Sequence, residues 1–165
     1  MVESGAPELI RRSAYLAKVE LMFLGQFEHS IDEKGRMTIP ARFREELGEV
    51  AYITRAFDQN LTVIPEPVFE SLAERLSDLT VTDPEVRLLQ NLIFSNAVRA
   101  EFDRSGRILI PQYLRDGAGL QSAAVVVGQG KRFEIWSPEL WTEQVKLQNS
   151  PAMAQRFKEL NLPMR

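Results

Sequence analysis

Two pairs of oppositely charged residues at matched spacing are the residues of this chain best suited to chemistry. Asp32 precedes Arg36 by four positions, and Asp103 precedes Arg107 by the same four. An aspartate can accept backbone N–H bonds in a tight turn. An arginine can donate two parallel hydrogen bonds to a phosphate or to the O6 and N7 atoms of guanine. The pattern therefore predicts a carboxylate that orients a turn and a guanidinium that binds an anion.

Both pairs belong to a longer motif that occurs twice. The first copy reads Asp-Glu-Lys-Gly-Arg-Met-Thr-Ile-Pro over 32–40, and the second reads Asp-Arg-Ser-Gly-Arg-Ile-Leu-Ile-Pro over 103–111, 71 residues later. In each copy a further arginine, Arg44 or Arg115, follows the proline by four positions. A repeat of this kind indicates one small structural unit that is used twice.

Each motif copy predicts the same local elements. Gly35 and Gly106 supply the positive φ that a tight turn requires, and the flanking residues alternate as strand residues do. Pro40 and Pro111 then open a short helix. The sequence therefore predicts an Asp–Arg turn between two strands, followed by a helix that supports it.

The strand before the first turn is predicted to have one buried face. Residues 26–31 alternate polar and apolar side chains, which places Phe27, His29 and Ile31 on one side. On this pattern we expect His29 to be an interior histidine rather than a metal ligand.

Seven basic residues on or beside the turns are candidates for binding a polyanion. They comprise the two motif arginines, two cations on the turns themselves, and three arginines on the flanking helices. In that order they are Arg36 and Arg107; Lys34 and Arg104; and Arg42, Arg44 and Arg115. Turn cations that contact phosphate position a protein on DNA without reading its sequence. The residues predicted to form the turns and orient the arginines are Asp32, Gly35, Asp103 and Gly106.

The composition restricts the classes of function. The 165-residue chain has no cysteine and one histidine, which excludes disulfides and thiolate catalysis and argues against a His/Cys metal site. We therefore expect no metal, no cofactor and no enzymatic activity. The net charge of −3 is opposite to the basic balance typical of nucleic-acid binders. Any such binding must come from a local basic cluster, summed over several copies of the chain.

The repeat also predicts the domain organisation. Residues 1–21 match nothing in the second half and are predicted to be a poorly ordered N-terminal extension. Two equivalent domains are expected over 26–68 and 97–140, with linking helices over 69–96 and a C-terminal helix and tail over 141–165. Each unit is small for independent stability, so we expect the two to pack on each other.

The doubled Asp-x-x-Gly-Arg-x-x-Ile-Pro pattern resembles the SpoVT-AbrB type of DNA-binding domain. Two such units, with Gly-Gln-Phe-Glu-His-Ser-Ile-Asp over 25–32 at the front, resemble the MraZ family across roughly residues 22–148. The resemblance implies an α+β fold, specifically a swapped-hairpin (double-split) β-barrel made from both units, with short peripheral helices.

The same resemblance implies a function. Members of such a family are expected to be sequence-specific transcriptional regulators that bind repeated promoter boxes in double-stranded DNA as ring-shaped homo-oligomers. The expected targets are the division and cell-wall gene cluster, including the regulator's own gene, under repression. The expected location is the cytoplasm and the nucleoid, with no membrane and no small-molecule substrate. The family's Asp-x-x-x-Arg element maps onto Asp32 and Arg36, and onto Asp103 and Arg107.

Three other readings compete with this one. An antitoxin-like relative would bind operator DNA with the barrel and a protein partner with its tail. An enzyme would use Asp32 and Asp103 as a carboxylate pair, although the chain has no nucleophile motif or phosphate loop. A purely structural ring-forming protein would use the Asp–Arg pairs as salt bridges between subunits.

Overall fold

The computed structural model describes residues 22–164 of the chain, so the predicted extension over 1–21 lies outside the described residues. The described part contains eight strands and six helices. The strands are β1 Gln26–Ser30, β2 Arg36–Thr38, β3 Ala51–Thr54, β4 Leu61–Pro65, β5 Val98–Arg99, β6 Arg107–Leu109, β7 Ala123–Gly128 and β8 Phe133–Trp136. The helices are α1 Ala41–Leu47, α2 Glu66–Ser77, α3 Pro84–Phe94, α4 Gln112–Gly117, α5 Pro138–Gln148 and α6 Pro151–Glu159.

Local sequence signals set the ends of several helices. Pro40 and Pro111 directly precede α1 and α4, and Gly48 ends α1 with a φ of 73°. Asp83 caps α3 by accepting a hydrogen bond from the backbone N–H of Glu85 at 2.9 Å. These are the expected roles of proline, glycine and aspartate at helix ends, because each satisfies or avoids an unpaired backbone group.

The strands form one six-stranded antiparallel sheet, in the order β1-β7-β8-β4-β3-β5, and one two-stranded antiparallel ribbon of β2 and β6. The fold is therefore α+β, as predicted. The paired strands of the described residues do not close into a ring, so the swapped-hairpin barrel is not established by this topology.

Strand pairing crosses between the two units. β1 of the first unit pairs with β7 of the second, and β5 of the second unit pairs with β3 of the first. The two strands that flank each Asp–Arg turn are joined to each other by one isolated bridge, Ile31–Met37 in the first unit and Phe102–Ile108 in the second. The strands around each turn thus find most of their partners in the other unit, a pairing that short-range sequence patterns do not specify.

The two units share one hydrophobic core. Phe23 and Phe43 of the first unit pack against Phe133 of the second, with ring centroids 5.2–5.4 Å apart. All three rings are fully buried. Because the core is common to both units, neither unit encloses a complete core of its own.

The face of β1 that was predicted to be buried does face the core, where Phe27 packs edge-to-face on Phe43, but it is only partly covered. Ile31 is buried, but Phe27 is 38% exposed and His29 is only half-buried. The reason is that β1 lies at the edge of the sheet, with β7 on one side and no strand on the other among the described residues. The partial burial of His29 lowers the pKa of its imidazole, because a charged ring loses solvation there.

Candidate nucleic-acid interface

The β2–β6 ribbon brings the two motif copies together. Its register places Arg36 opposite Leu109, Met37 opposite Ile108, and Thr38 opposite Arg107. Met37 and Ile108 are fully buried, so the alternation of a strand turns the neighbouring side chains to the outer face. Arg36 and Arg107 therefore share one outer face of a single ribbon.

The first turn is organised by the carboxylate of Asp32. Its Oδ1 atom accepts hydrogen bonds from the backbone N–H groups of Lys34 and Arg36, both at 2.9 Å. Its Oδ2 atom accepts a hydrogen bond from Arg36 Nε at 2.8 Å. Gly35, with a φ of 82°, donates its N–H to the carbonyl of Asp32 at 3.0 Å. One carboxylate thus fixes both the backbone of the turn and the orientation of the guanidinium.

The second turn repeats this geometry. Asp103 Oδ1 accepts from the backbone N–H groups of Ser105 and Arg107, at 2.9 and 3.0 Å, and Oδ2 accepts from Arg107 Nε at 2.7 Å. Gly106 has a φ of 74°. The duplicated sequence therefore produces two turns with the same pattern of hydrogen bonds.

The charges of the two turns also interact. Arg107 Nη1 lies 3.7 Å from Asp32 Oδ2, a salt bridge between the units. The pKa of Asp32 and that of Asp103 lie below the ordinary range, mainly because each carboxylate accepts a hydrogen bond from the backbone N–H of its motif arginine. The side chains of the two arginines lower these pKa values further. Both carboxylates are therefore ionised at neutral pH.

The arginine side chains remain accessible despite these bonds. About one third of each is exposed, 32% for Arg36 and 33% for Arg107. Each arginine uses its Nε atom to bond its own aspartate. The Nη nitrogens of Arg36 make no hydrogen bond within the described residues, and those of Arg107 make only the longer ion pair to Asp32. Terminal nitrogens in this state can donate to an external phosphate or base edge.

Arg44 and Arg115 lie against the turn of the opposite unit. A Cβ atom at Gly35 would stand 2.8 Å from the guanidinium of Arg115, and one at Gly106 would clash with the guanidinium of Arg44. Arg115 Nε also donates to the carbonyl of Ile110 at 2.9 Å. Glycine at the turns is thus favoured by the positive φ, and a side chain there would also have to displace the guanidinium end of the arginine that lies against the turn. That Arg44 and Arg115 contact DNA remains a prediction.

The remaining candidates are more exposed. Lys34 and Arg104 lie on the turns themselves, and Arg42, on α1, has a side chain that is 71% exposed and 4.0 Å from Glu46. Desolvation raises the pKa of Glu46 above its ordinary value, although Arg42 opposes that shift. These three cations are therefore solvent-exposed, two on the turns and one on the helix that follows β2 in the chain.

Two residues of the interface were not among the sequence predictions. Thr38 and Leu109 share the outer face with the arginines, and Leu109 is 46% exposed. The alternation of β2 and β6 contains this information, since residues two positions apart on a strand face the same way. An exposed leucine between two arginines provides an apolar contact, which a thymine methyl group can use.

Neither a metal cluster nor a membrane span is found within residues 22–164. No group of three or more His, Cys, Asp or Glu side chains there is arranged to hold a metal ion. No helix of this part is long and apolar enough to cross a bilayer.

The fold and these turns define a class of duplicated α+β proteins, in which two halves exchange strands and present paired Asp–Arg turns on one ribbon. One family profile, described as "MraZ protein, putative antitoxin-like", matches the chain twice, over residues 22–92 and 93–160. The chain belongs to the MraZ family, as its motifs predicted.

Relatives from several bacteria support this assignment. The chain is 47% identical over 141 residues to a protein of Thermomicrobium roseum named transcriptional regulator MraZ, a match that covers 84% of this chain and 99% of the relative. A protein of the same name from Roseiflexus castenholzii is 48% identical with the same coverage. One from Herpetosiphon aurantiacus is 44% identical and covers 86% of this chain and all of the relative.

Proposed function

We propose that this protein is a DNA-binding transcriptional regulator that contacts double-stranded DNA through Arg36 and Arg107. Membership of the MraZ family supports the regulatory role, because similar proteins carry the name transcriptional regulator. The proposed DNA contacts rest on the outer face of the β2–β6 ribbon, which both arginines share. On this face two guanidiniums are held by carboxylates through Nε and keep their terminal nitrogens accessible.

A two-stranded ribbon is a suitable shape for this task. The major groove of B-DNA admits a two-stranded β-ribbon, and arginine reads guanine there through paired hydrogen bonds. In this proposal Arg36 and Arg107 donate hydrogen bonds to base edges or to the nearest phosphates. Lys34 and Arg104, on the turns, neutralise phosphates to either side.

Several copies of the chain must act together. One ribbon offers few contacts, and the chain carries a net charge of −3. A ring-shaped homo-oligomer that presents its ribbons to repeated promoter boxes raises the effective concentration of each further contact. We also propose that the chain forms a swapped-hairpin barrel. The isolated bridges Ile31–Met37 and Phe102–Ile108, which join the ribbon to the strands of the sheet, support this proposal. The proposed targets are the division and cell-wall genes, including the protein's own gene, under repression in the cytoplasm and nucleoid.

The proposal is tested by a binding titration with two DNA duplexes. Fluorescence anisotropy would compare the DNA directly upstream of the protein's own gene with a duplex of the same composition in shuffled order. We expect tighter binding to the upstream DNA, and an affinity that falls steeply as salt rises, because bound phosphates release counterions. Equal affinity for both duplexes, or an affinity independent of salt, would contradict the proposal.

A further inference from the structure

A cavity of about 500 Å³ lies on the side of the six-stranded sheet that α2 and α3 cover. Its apolar lining comes from β4 and from the facing sides of the two helices: Ile64, Val68, Leu72, Leu76, Leu89 and Ile93. Small-molecule sites in proteins have volumes of roughly 300–1,000 Å³ and mainly apolar walls with a few placed polar groups. The cavity falls within that description.

The floor of the cavity carries a polar row across three neighbouring strands. Thr54 on β3 pairs with Thr62 on β4, and Thr62 pairs with Glu134 on β8, so the three side chains share one face of the sheet. Thr54 Oγ1 donates to the carbonyl of Ile93, and Glu134 Oε1 accepts from Trp136 Nε1 at 3.3 Å. Thr62 is 2% exposed, and its hydroxyl has no hydrogen-bond partner among the described residues. A buried hydroxyl without a partner is costly, and a polar ligand atom would satisfy it.

The polar lining of the cavity has an excess of positive charge. Four cations line it, and two carboxylates do: Arg55, Arg75, Lys131 and Arg132 against Asp58 and Glu134. Within residues 22–164 none of the four cations lies within 4.0 Å of a carboxylate oxygen. The Nε atom of Arg55 is buried and makes no hydrogen bond in that part of the chain. These groups are available to an external anion.

We propose that this cavity binds an amphiphilic organic anion, with its apolar body between α2 and α3 and its carboxylate or phosphate against Lys131, Arg132 and Arg55. The site shares no lining residue with the β2–β6 ribbon, so the inference goes beyond the DNA-binding role and does not depend on it. The C-terminal helix of a second copy is a poorer match, because Arg156 and Lys158 would bring like charge to a cationic rim.

The chain contains a natural reporter for this site. Because the indole of Trp136 bonds the carboxylate of Glu134, a ligand on the cavity floor should change its fluorescence. The full chain would be titrated with decyl phosphate, decanoate and decyltrimethylammonium, each below its micelle concentration. We expect saturable 1:1 binding of one or both anions, with the tighter one identifying the preferred head group. The cation should bind at least about tenfold more weakly, since it faces four positive side chains. Equal binding of the cation, or no saturable binding of either anion, would overturn the proposal.

Variants separate this site from nonspecific adsorption and from a subunit contact. Calorimetry should find anion binding at least about tenfold weaker in the K131A/R132A variant and in Leu72→Phe, which narrows the cavity. Lys146→Ala, an exposed cation on α5, is the matched control and should bind normally. Unchanged binding in both site variants would overturn the proposal. So would loss of the native oligomer in sedimentation of K131A/R132A, because it would assign this surface to a neighbouring copy of the chain.

Discussion

Met37 lies directly opposite Ile108 in the β2–β6 ribbon, and these two residues hold equivalent positions in the two copies of the motif. The ribbon therefore has an approximate two-fold axis at this buried pair. Arg36 and Arg107, one residue before each, are related by the same axis and lie on the same outer face. The candidate interface is thus a single surface made by both units, and we expect its two guanidiniums to act together.

Arg36→Lys should weaken DNA binding although it keeps the charge. Lysine can replace neither the Nε bond to Asp32 nor the paired terminal donors of the guanidinium. We expect an affinity about tenfold lower, since a bidentate contact contributes roughly 1–3 kcal/mol. Anisotropy with upstream DNA measures this, with Lys146→Ala as the control. If Arg36→Lys bound DNA with native affinity, the paired hydrogen bonds of the guanidinium would not contribute to binding.

Asp32→Asn should lower both the melting temperature and the DNA affinity. The amide cannot offer two anionic oxygens to the turn N–H groups and to Arg36 Nε together. Asp83→Asn is the matched control, because asparagine caps a helix about as well as aspartate. Thermal melts and DNA titrations should therefore show a lower melting temperature and a lower DNA affinity for Asp32→Asn than for Asp83→Asn. If both variants behave alike, the carboxylate of Asp32 has no special part in the turn.

Acid should loosen both turns below about pH 4. The pKa values of Asp32 and Asp103 are lowered in the folded chain. Their contribution to stability is therefore fully present above the unfolded carboxyl pKa of about 3.9 and is lost as pH falls through the lower folded values. In circular dichroism melts below about pH 4, the D32N/D103N variant should lose less stability than the unsubstituted protein as the pH falls.

His29 contributes to pH dependence at a higher pH. Its pKa is lowered by burial, so the unfolded chain takes up the proton first and stability falls as pH drops below about 6.5. A His29→Gln background removes this contribution and isolates that of the two aspartates. An acid response of D32N/D103N in this background equal to that of His29→Gln alone would count against the turn assignment.

Gly106→Ala should destabilise the chain through two separate causes. A Cβ atom there meets strain from a φ of 74° and also the guanidinium of Arg44. Gly130→Ala is the control for strain alone, because Gly130 has a φ of 80° and no atom within 4 Å of the added carbon. We expect the strain to cost about 1–3 kcal/mol in each. At Gly106 we expect a smaller further cost, because the guanidinium of Arg44 is the end of a flexible side chain and has to shift.

The further cost at Gly106 should depend on Arg44. In the G106A/R44A double variant, the two losses of unfolding free energy should sum to more than the measured loss, because Arg44→Ala removes the clash. Additive losses in chemical denaturation would show that Arg44 does not pack on the turn in solution.

Phe43→Ala should destabilise both units together. The ring packs against Phe23 and Phe133 in a core common to the two units. Removal of a buried phenylalanine costs about 3–5 kcal/mol. Denaturation followed by fluorescence and by circular dichroism should give one coincident transition, shifted to lower denaturant. Two separate transitions would contradict a shared core.

Sequence analysis found the features that depend on near neighbours. The Asp–Gly–Arg turns and the prolines before α1 and α4 follow from backbone chemistry within a few residues. The family resemblance follows from the doubling of these signals, and the α+β class was predicted from that resemblance. The division into two domains stays a prediction, because strand pairing across the units leaves no boundary between them in the sheet.

Long-range placement was beyond the sequence. Nothing within 26–31 indicates that β1 would pair with β7 at the edge of a sheet, so the exposure of Phe27 was missed. The contacts of Arg44 and Arg115 with the opposite turns were missed for the same reason, since each joins residues of different units. Periodicity shows which residues share a face, but it does not show which element will cover that face.

The central claim is that Arg36 and Arg107 are the DNA-contacting pair of one ribbon. The most direct test is an anisotropy titration of the R36A/R107A double variant with upstream DNA, beside Lys146→Ala and with sedimentation on the same samples. The account predicts an unchanged oligomer and an affinity reduced at least about a hundredfold, as expected for the loss of two charge-assisted contacts. Native affinity in an intact oligomer would contradict it, and so would disassembly of the oligomer with the affinity of the remaining assemblies preserved.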